Sequence, residues 1–353
     1  MAFSAARRRR VRQLVGTVLV SLGTAVFAGA VGLAIDAFVK GGSPRWAYLA
    51  GFLAGGAVLS GCGGWLLATV RVGVGLALSA TDGAGDADRY LDEAESFGRF
   101  GAGVFAVQST VQLPVESAED LPNLRKLLRS GMRTLSQVEP QAASVGLLFQ
   151  GRQHVGFHVG RWLNVAGRGV DLYTDIRDGG GASHLRAVRL GPSPHGRPRD
   201  LDLALYRREE DGDLTGPETM SVEVFGTELD SPAEGPVCLA VNLNAPVDDA
   251  SFIGPVLASA RTENATAVVV AALPGRSGAP TRALGPSTKE YESTVAAIIA
   301  VARKLPAAPG LLYLKGPAVI SVALGRYLHD TGWLPMRYTP GTPGTYTRYT
   351  TEP

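Results

Sequence analysis

Two stretches of this chain run for more than twenty residues without a charged side chain: Leu14 to Ile35 and Trp46 to Val70. A helix that crosses a bilayer needs about 20 predominantly apolar residues. The apolar region of a secretory leader is shorter, about 7–15 residues. Two long runs joined by a short loop therefore predict a membrane-spanning helical hairpin, with spans at about 14–35 and 46–70 inside an N-terminal segment 1–75. Five arginines (Arg7, Arg8, Arg9, Arg10 and Arg12) precede the first run and Arg71 follows the second, whereas the loop holds only Lys40 and Arg45. Basic residues stay on the cytoplasmic side. Both termini and everything after Arg71 are expected in the cytoplasm, and the hairpin in a bacterial inner membrane.

Both runs are rich in glycine, and Gly51 and Gly55 are spaced four apart. Small residues at that spacing let helix backbones approach closely in lipid. The pair is the candidate surface for packing of the spans against each other and against other copies. No Asp, Glu, Lys or Arg lies inside either run, which argues against a transport pathway, where such groups usually line the route.

The net charge of +2 excludes a general nucleic-acid coat. Two cysteines, Cys62 and Cys238, make neither a disulfide framework nor a metal cluster. Ser79 to Asp88 reads SATDGAGDAD, small and acidic, which predicts a linker over about 76–100 and a folded unit from near Gly101.

From there apolar runs alternate with helical periodicity. Strands are expected at 103–113, 143–151, 170–176, 237–245, 266–273, 310–316 and 334–339, with helices at 119–135, 153–165, 252–261, 289–305 and 317–329. The region 184–227 reads as strands with loops. Such alternation indicates βαβ units and a mostly parallel sheet covered on both faces.

Inside this pattern a repeat is visible. GRWLNVAG starts at Gly160 and GRYLHDTG at Gly325, an offset of 165 residues. At the same ungapped offset Leu147 matches Leu312, Gly151 matches Gly316, Leu163 matches Leu328, and Tyr173-Thr174 matches Tyr338-Thr339. The matches fall at equivalent places: a strand end, mid-helix, a helix C-terminus and the next strand. The chain is read as two Rossmann-like halves, about 101–230 and 231–353.

In open α/β sheets ligands bind beyond the C-terminal ends of the strands, where the following helix N-terminus attracts anions. The candidate ligand residues at such places are Gln150, Gly151, Arg152 and His154 in the first half, and Gly275, Arg276, Lys315 and Gly316 in the second. Each group offers a glycine for close approach and a cation; two such sites facing each other suit a ligand with several phosphates. Taken singly, the cations also read as solvated surface charges and the glycines as tight turns. His154 and His158 stand at i, i+4, but the metalloprotease pattern is absent and no third ligand is evident. No phosphate-binding P-loop, no nucleophile elbow and no Cys–His arrangement is present, so no catalytic residue, metal or cofactor is expected. The GxG sets near Gly61 and Gly73 read as parts of the membrane segment.

Two segments, LLFQGRQHVGFHVGRWLN and KGPAVISVALGRYLHDTGWLPMRYTP, together with the closing TYTRYT, resemble the SAVED domain, which consists of two fused CARF-like Rossmann units. The resemblance covers about 101–353. It implies a sensor of cyclic di- or trinucleotides in CBASS anti-phage defence, functionally linked to a nucleotidyltransferase that makes the ligand. It also implies a homo-oligomer on activation and a fused effector, here the two-helix membrane segment acting on the lipid bilayer. The alternative is a membrane-anchored Rossmann-like nucleotide-processing enzyme.

Overall fold

A computed structural model describes residues 2–40, 46–70, 73–80, 90, 105–112, 118–138, 144–163, 169–178, 181–209, 212–220, 235–274, 284, 287–305, 310–341 and 344–349. Among them are seven α-helices and two sheets in a mixed α/β arrangement.

The two apolar runs form an antiparallel pair, α1 (Ala2–Val39) and α2 (Trp46–Val70). Leu14–Asp36 and Tyr48–Leu66 are long and apolar enough to cross a membrane, with mean hydropathy 2.2 and 1.4. Asp36, at the end of the first span, is neutralised one helical turn later by Lys40 at 2.8 Å. The close approach of the two helices depends on glycines. A Cβ at Gly56 would meet Gly23 O at 2.9 Å, and one at Gly63 would meet Gly16 O at 2.7 Å.

The sheet-bearing unit begins earlier than the sequence suggests. Strand β1 (Gly73–Ala80) follows α2 after two residues and is paired on both sides, with β2 (Phe105–Gln112) and β3 (Ser144–Gly151), both parallel. The linker expected over 76–100 therefore loses its first residues to a central strand, and the unit starts at Gly73 and not near Gly101. Leu76, Ala77 and Leu78 are fully buried, which a linker would not be. Gly73 and Gly75 belong to this strand and not to the membrane segment.

The first sheet has the order β2-β1-β3-β4-β5, where β4 is Gly169–Asp178 and β5, Gly181–Leu190, is antiparallel to it. Helix α3 (Leu121–Val138) lays Leu121, Leu124, Leu128 and Leu135 on the core at helical spacing. Helix α4 (Gln153–Trp162) connects β3 to β4.

The second sheet has the order β12-β11-β10-β8-β9-β6-β7. Its strands are β6 (Asp202–Arg208), β7 (Leu214–Met220), β8 (Val237–Asn242), β9 (Ala267–Ala272), β10 (Gly310–Lys315), β11 (Trp333–Thr339) and β12 (Thr345–Arg348). Helices α5 (Ala250–Thr262), α6 (Thr288–Lys304) and α7 (Ala318–Tyr327) connect β8 to β9, β9 to β10 and β10 to β11. The boundary expected near 230 moves with this sheet: β6 pairs antiparallel with β9, so 202–220 belongs to the second sheet. Without β6 and β7, β9-β8-β10-β11-β12 repeats β2-β1-β3-β4-β5, including the antiparallel last strand.

Strand periodicity divides the second sheet between two cores. Leu239, Val241, Val269 and Leu312 face the large core shared with α6, α7 and the first sheet. Cys238, Ala240, Val268, Val270 and Tyr313 face a smaller core with Phe252, Val256 and Ala260 of α5. Alternate side chains of a strand point to opposite faces, so a strand covered twice must be apolar throughout.

The repeated GR segments meet each other. Helices α4 and α7 cross face to face, and the offset of 165 holds for the first and last residue of each helix. A Cβ at Gly160 would collide with Val322 O, and one at Gly325 with Phe157 O. Phe157 and Val322 are themselves related by the same offset. Gly156 packs on Ser321, its own counterpart. The repeat is thus a seam: the two copies are joined through equivalent residues around a pseudo-two-fold axis.

Candidate functional site

In the second sheet the chain passes from β8 to β9 on one side and then returns to place β10 on the other. A crevice opens where the order reverses, beyond the C-terminal ends of β8 and β10. There the backbone N–H of Leu243 donates to Lys315 O at 2.8 Å, and the two strands then part.

The loop from β8 to α5 ends in Asp249, the N-cap of α5. Its Oδ1 accepts from the Ser251 N–H at 3.2 Å and from Ser251 Oγ at 2.7 Å. Its Oδ2 accepts from Asn242 Nδ2 at 3.2 Å and from Lys315 Nζ at 3.0 Å. Burial alone would raise this carboxyl. The hydrogen bonds from Ser251, Lys315 and Asn242, with the charge of Lys315, outweigh it and hold Asp249 below its ordinary range.

A cavity of about 410 Å³ lies in this crevice. Its volume falls within the usual range of small-molecule sites, about 300–1,000 Å³. Arg152, Gln153 and His154 at the start of α4 line it together with Asn244, Ser251 and Lys315 of the second half. Phe252, Leu314, Met336, Tyr338 and Tyr346 supply an apolar, aromatic lining between them. Tyr346 stands edge-on to Phe252 at 6.3 Å, and Lys315 Nζ lies 5.8 Å from the centre of the Phe252 ring. Gln153 Nε2 donates to Gly316 O, tying the first half to the second at the cavity floor. Such a lining can stack a flat ring, and its walls can hold anionic groups.

His154 is 2 % exposed and sits edge-on to Tyr349, with ring centres 4.3 Å apart. Burial, then the charges of Arg337, His158 and Arg152, push its pKa down to about 3. The imidazole is therefore neutral, and its Nε2 has no hydrogen-bond partner among the described residues. His158, one turn on, is pushed down to about 4, again chiefly by burial.

Of the residues singled out from the sequence, Arg152, His154, Lys315 and Gly316 come together in this cavity. Gln150 and Gly151 lie at the corresponding place of the first half. Gln150 Oε1 accepts from Ser79 Oγ at 3.3 Å, and Gly151 is pressed between the Phe149 ring and Ala80. Gly275 and Arg276 lie outside the described residues. Gly51 and Gly55 do not face α1: a Cβ at either would meet nothing within 4 Å. The contacts inside the hairpin fall to Gly16, Gly23, Gly56 and Gly63 instead.

Asn244, Ser251 and the Asp249 partner of Lys315 were missed. The strand-end rule that picked the segments after β3, β9 and β10 also applies to β8, and would have reached them. The aromatic lining had no such signal, because Phe252, Met336 and Tyr346 read as core residues. No family model and no curated protein matches the chain.

Proposed function

We propose that this chain is a ligand-gated membrane effector of the SAVED type. Its two halves are CARF-like Rossmann units, and a cyclic di- or trinucleotide from a partner synthase binds in the cavity between them. Binding assembles the cytoplasmic parts of several copies, and the clustered hairpins then breach the bacterial inner membrane. The observation that carries this reading is the cavity itself, lined by aromatic rings and by the cations Lys315 and Arg152, one from each half. The covalent path from site to membrane supports it. Only two residues separate α2 from β1, a reach of about 11 Å at most between Val70 and Gly73. Ligand must favour the assembled state over the free one for any such shift to occur.

The test uses the full chain in lipid vesicles loaded with a self-quenching dye, titrated with a panel of cyclic di- and trinucleotides. One member is expected to bind, to raise the particle size of the detergent-solubilised protein and to release dye without being consumed. Lys315→Ala is expected to weaken that binding about tenfold, as loss of a charge-assisted contact does. Binding with ligand breakdown and no dye release would point to the nucleotide-processing enzyme. No binding by any member would overturn the sensor reading.

A further inference from the structure

Lys315 is half-exposed and lines the cavity, yet its ammonium is engaged by a carboxylate just behind the wall. Asp249 does not need that contact to cap α5. One oxygen is satisfied by Ser251 and the other already accepts from Asn242. Nor does Lys315 need it for burial, since its side chain keeps 37 % exposure. Asp249 is only 19 % exposed, so when the ion pair opens its charge is carried by the hydrogen bonds from Ser251 and Asn242, and the helix stays capped. A phosphate oxygen in the cavity would offer the ammonium a bond of similar strength, because both are charge-assisted.

We propose that Asp249 is a built-in competitor for the cavity's anion. In the empty protein it neutralises Lys315, and a ligand phosphate binds by taking that ammonium away from it. This rests on the reading of the cavity as a nucleotide site and adds a regulation to it. A single phosphate gains little, because it exchanges one ion pair for another. A ring that also stacks on the aromatic lining and reaches Arg152 with a second phosphate gains more. Asp249 thus sets a threshold that rejects abundant mononucleotides and simple anions.

The sign of one substitution decides the matter. Asn caps a helix about as well as Asp, so Asp249→Asn removes the competing charge and keeps the cap; its Nδ2 faces the Asn242 amide as donor against donor, a cost that the melting temperature reads. If Asp249 competes, the variant binds anions more tightly; if it merely positions Lys315, the variant binds them more weakly. The probes are inorganic pyrophosphate and adenosine monophosphate, titrated calorimetrically into the full chain in detergent. The wild type, Asp249→Asn, Lys315→Gln and the double variant are compared, each with its melting temperature. Asp249→Asn is expected to bind about two- to fivefold tighter than wild type, the size of a partly exposed ion pair, and the double variant to lose the gain. Unchanged or weaker binding by Asp249→Asn, a gain that survives in the double variant, or no binding by any of the four would overturn the proposal. The cyclic-nucleotide panel is scored separately: its failure on the wild type, with the Asp249→Asn gain present, sinks the sensor reading and leaves the competitor standing.

Discussion

The two halves of the sheet-bearing unit share one strand order and one helix-to-helix crossing, but their sheet ends differ. Where the second half has Leu314, Lys315 and Asn242, the first has Phe149, Gln150 and Ser79 at the equivalent register positions. In the first half the Phe149 ring fills the space against Gly151 and Gly156, and Ser79 and Gln150 satisfy each other with neutral groups. In the second half the smaller Leu314 borders the 410 Å³ cavity, with an ion pair at its wall. The difference separates two demands on a duplicated chain. The seam must stay symmetric because each copy is the other's packing surface. The strand ends carry no such constraint, and the polar site is developed at one of them.

The strongest way to break the comparison is at the seam. Gly160→Ala and Gly325→Ala each drive a methyl group into a carbonyl oxygen of the facing helix. Backbone cannot give way as a side-chain tip does, so each is expected to cost about 3 kcal/mol, the upper end of overpacking penalties. Because the contacts are related by the pseudo-two-fold axis, the two costs should agree. Gly254→Ala in α5 is the control: apart from its chain neighbours the added methyl meets nothing within 4 Å, and the helix-propensity gain of about 1 kcal/mol is offset by crowding against Pro255, so little net change is expected. Thermal melts of the three variants read all of this. A tolerated change at only one seam glycine would mean that the crossing is not symmetric.

A smaller effect distinguishes the halves by pH. His154 and His158 lie on α4, and their counterparts on α7 are Val319 and Ala323. Folded, the two imidazoles hold pKa values near 3 and 4; unfolded, they return to about 6.5. A depressed histidine pKa means that the unfolded chain binds more protons between these values. Stability from this source is complete above pH 6.5 and falls as pH drops toward 4. Between pH 7.5 and 5 the loss is expected to be about 2 kcal/mol from each ring. The double variant His154→Val with His158→Ala, which copies the second half, should flatten the profile. A wild-type melting temperature that stays level over this range would show that the rings do not titrate on unfolding.

Part of this architecture was legible from residues alone. The spans needed only length and charge, and the repeat survived because seam glycines tolerate no alternative. Strand β1 was not legible: GVGLALSA continues the small, apolar composition of α2, and nothing local marks where the apolar helix ends and the sheet begins. The pairing of β6 with β9 was hidden for another reason. Antiparallel addition at a sheet edge leaves no trace in local periodicity, and the partners are more than fifty residues apart. The ion pair of Lys315 spans 66 residues, so the sequence shows a strand-end cation without its carboxylate.

The smallest expected effects on stability come from exchanging the residues that fill or open the two strand ends. Phe149→Leu removes a ring that touches the backbone of both Gly151 and Gly156, and the void should cost about 1 to 1.5 kcal/mol, the range for near-conservative core changes. Leu314→Phe runs the other way. Its larger side chain has the cavity to extend into, so the melting temperature should move by less than the equivalent of about 1 kcal/mol. Binding should nevertheless disappear, because the ring occupies the place a ligand's base would take. That separation, a nearly unchanged fold with an occluded site, is what an open strand end implies. A Leu314→Phe protein that melts early would show that the space is already committed to packing, and one that still binds would place the ligand elsewhere than against Leu314.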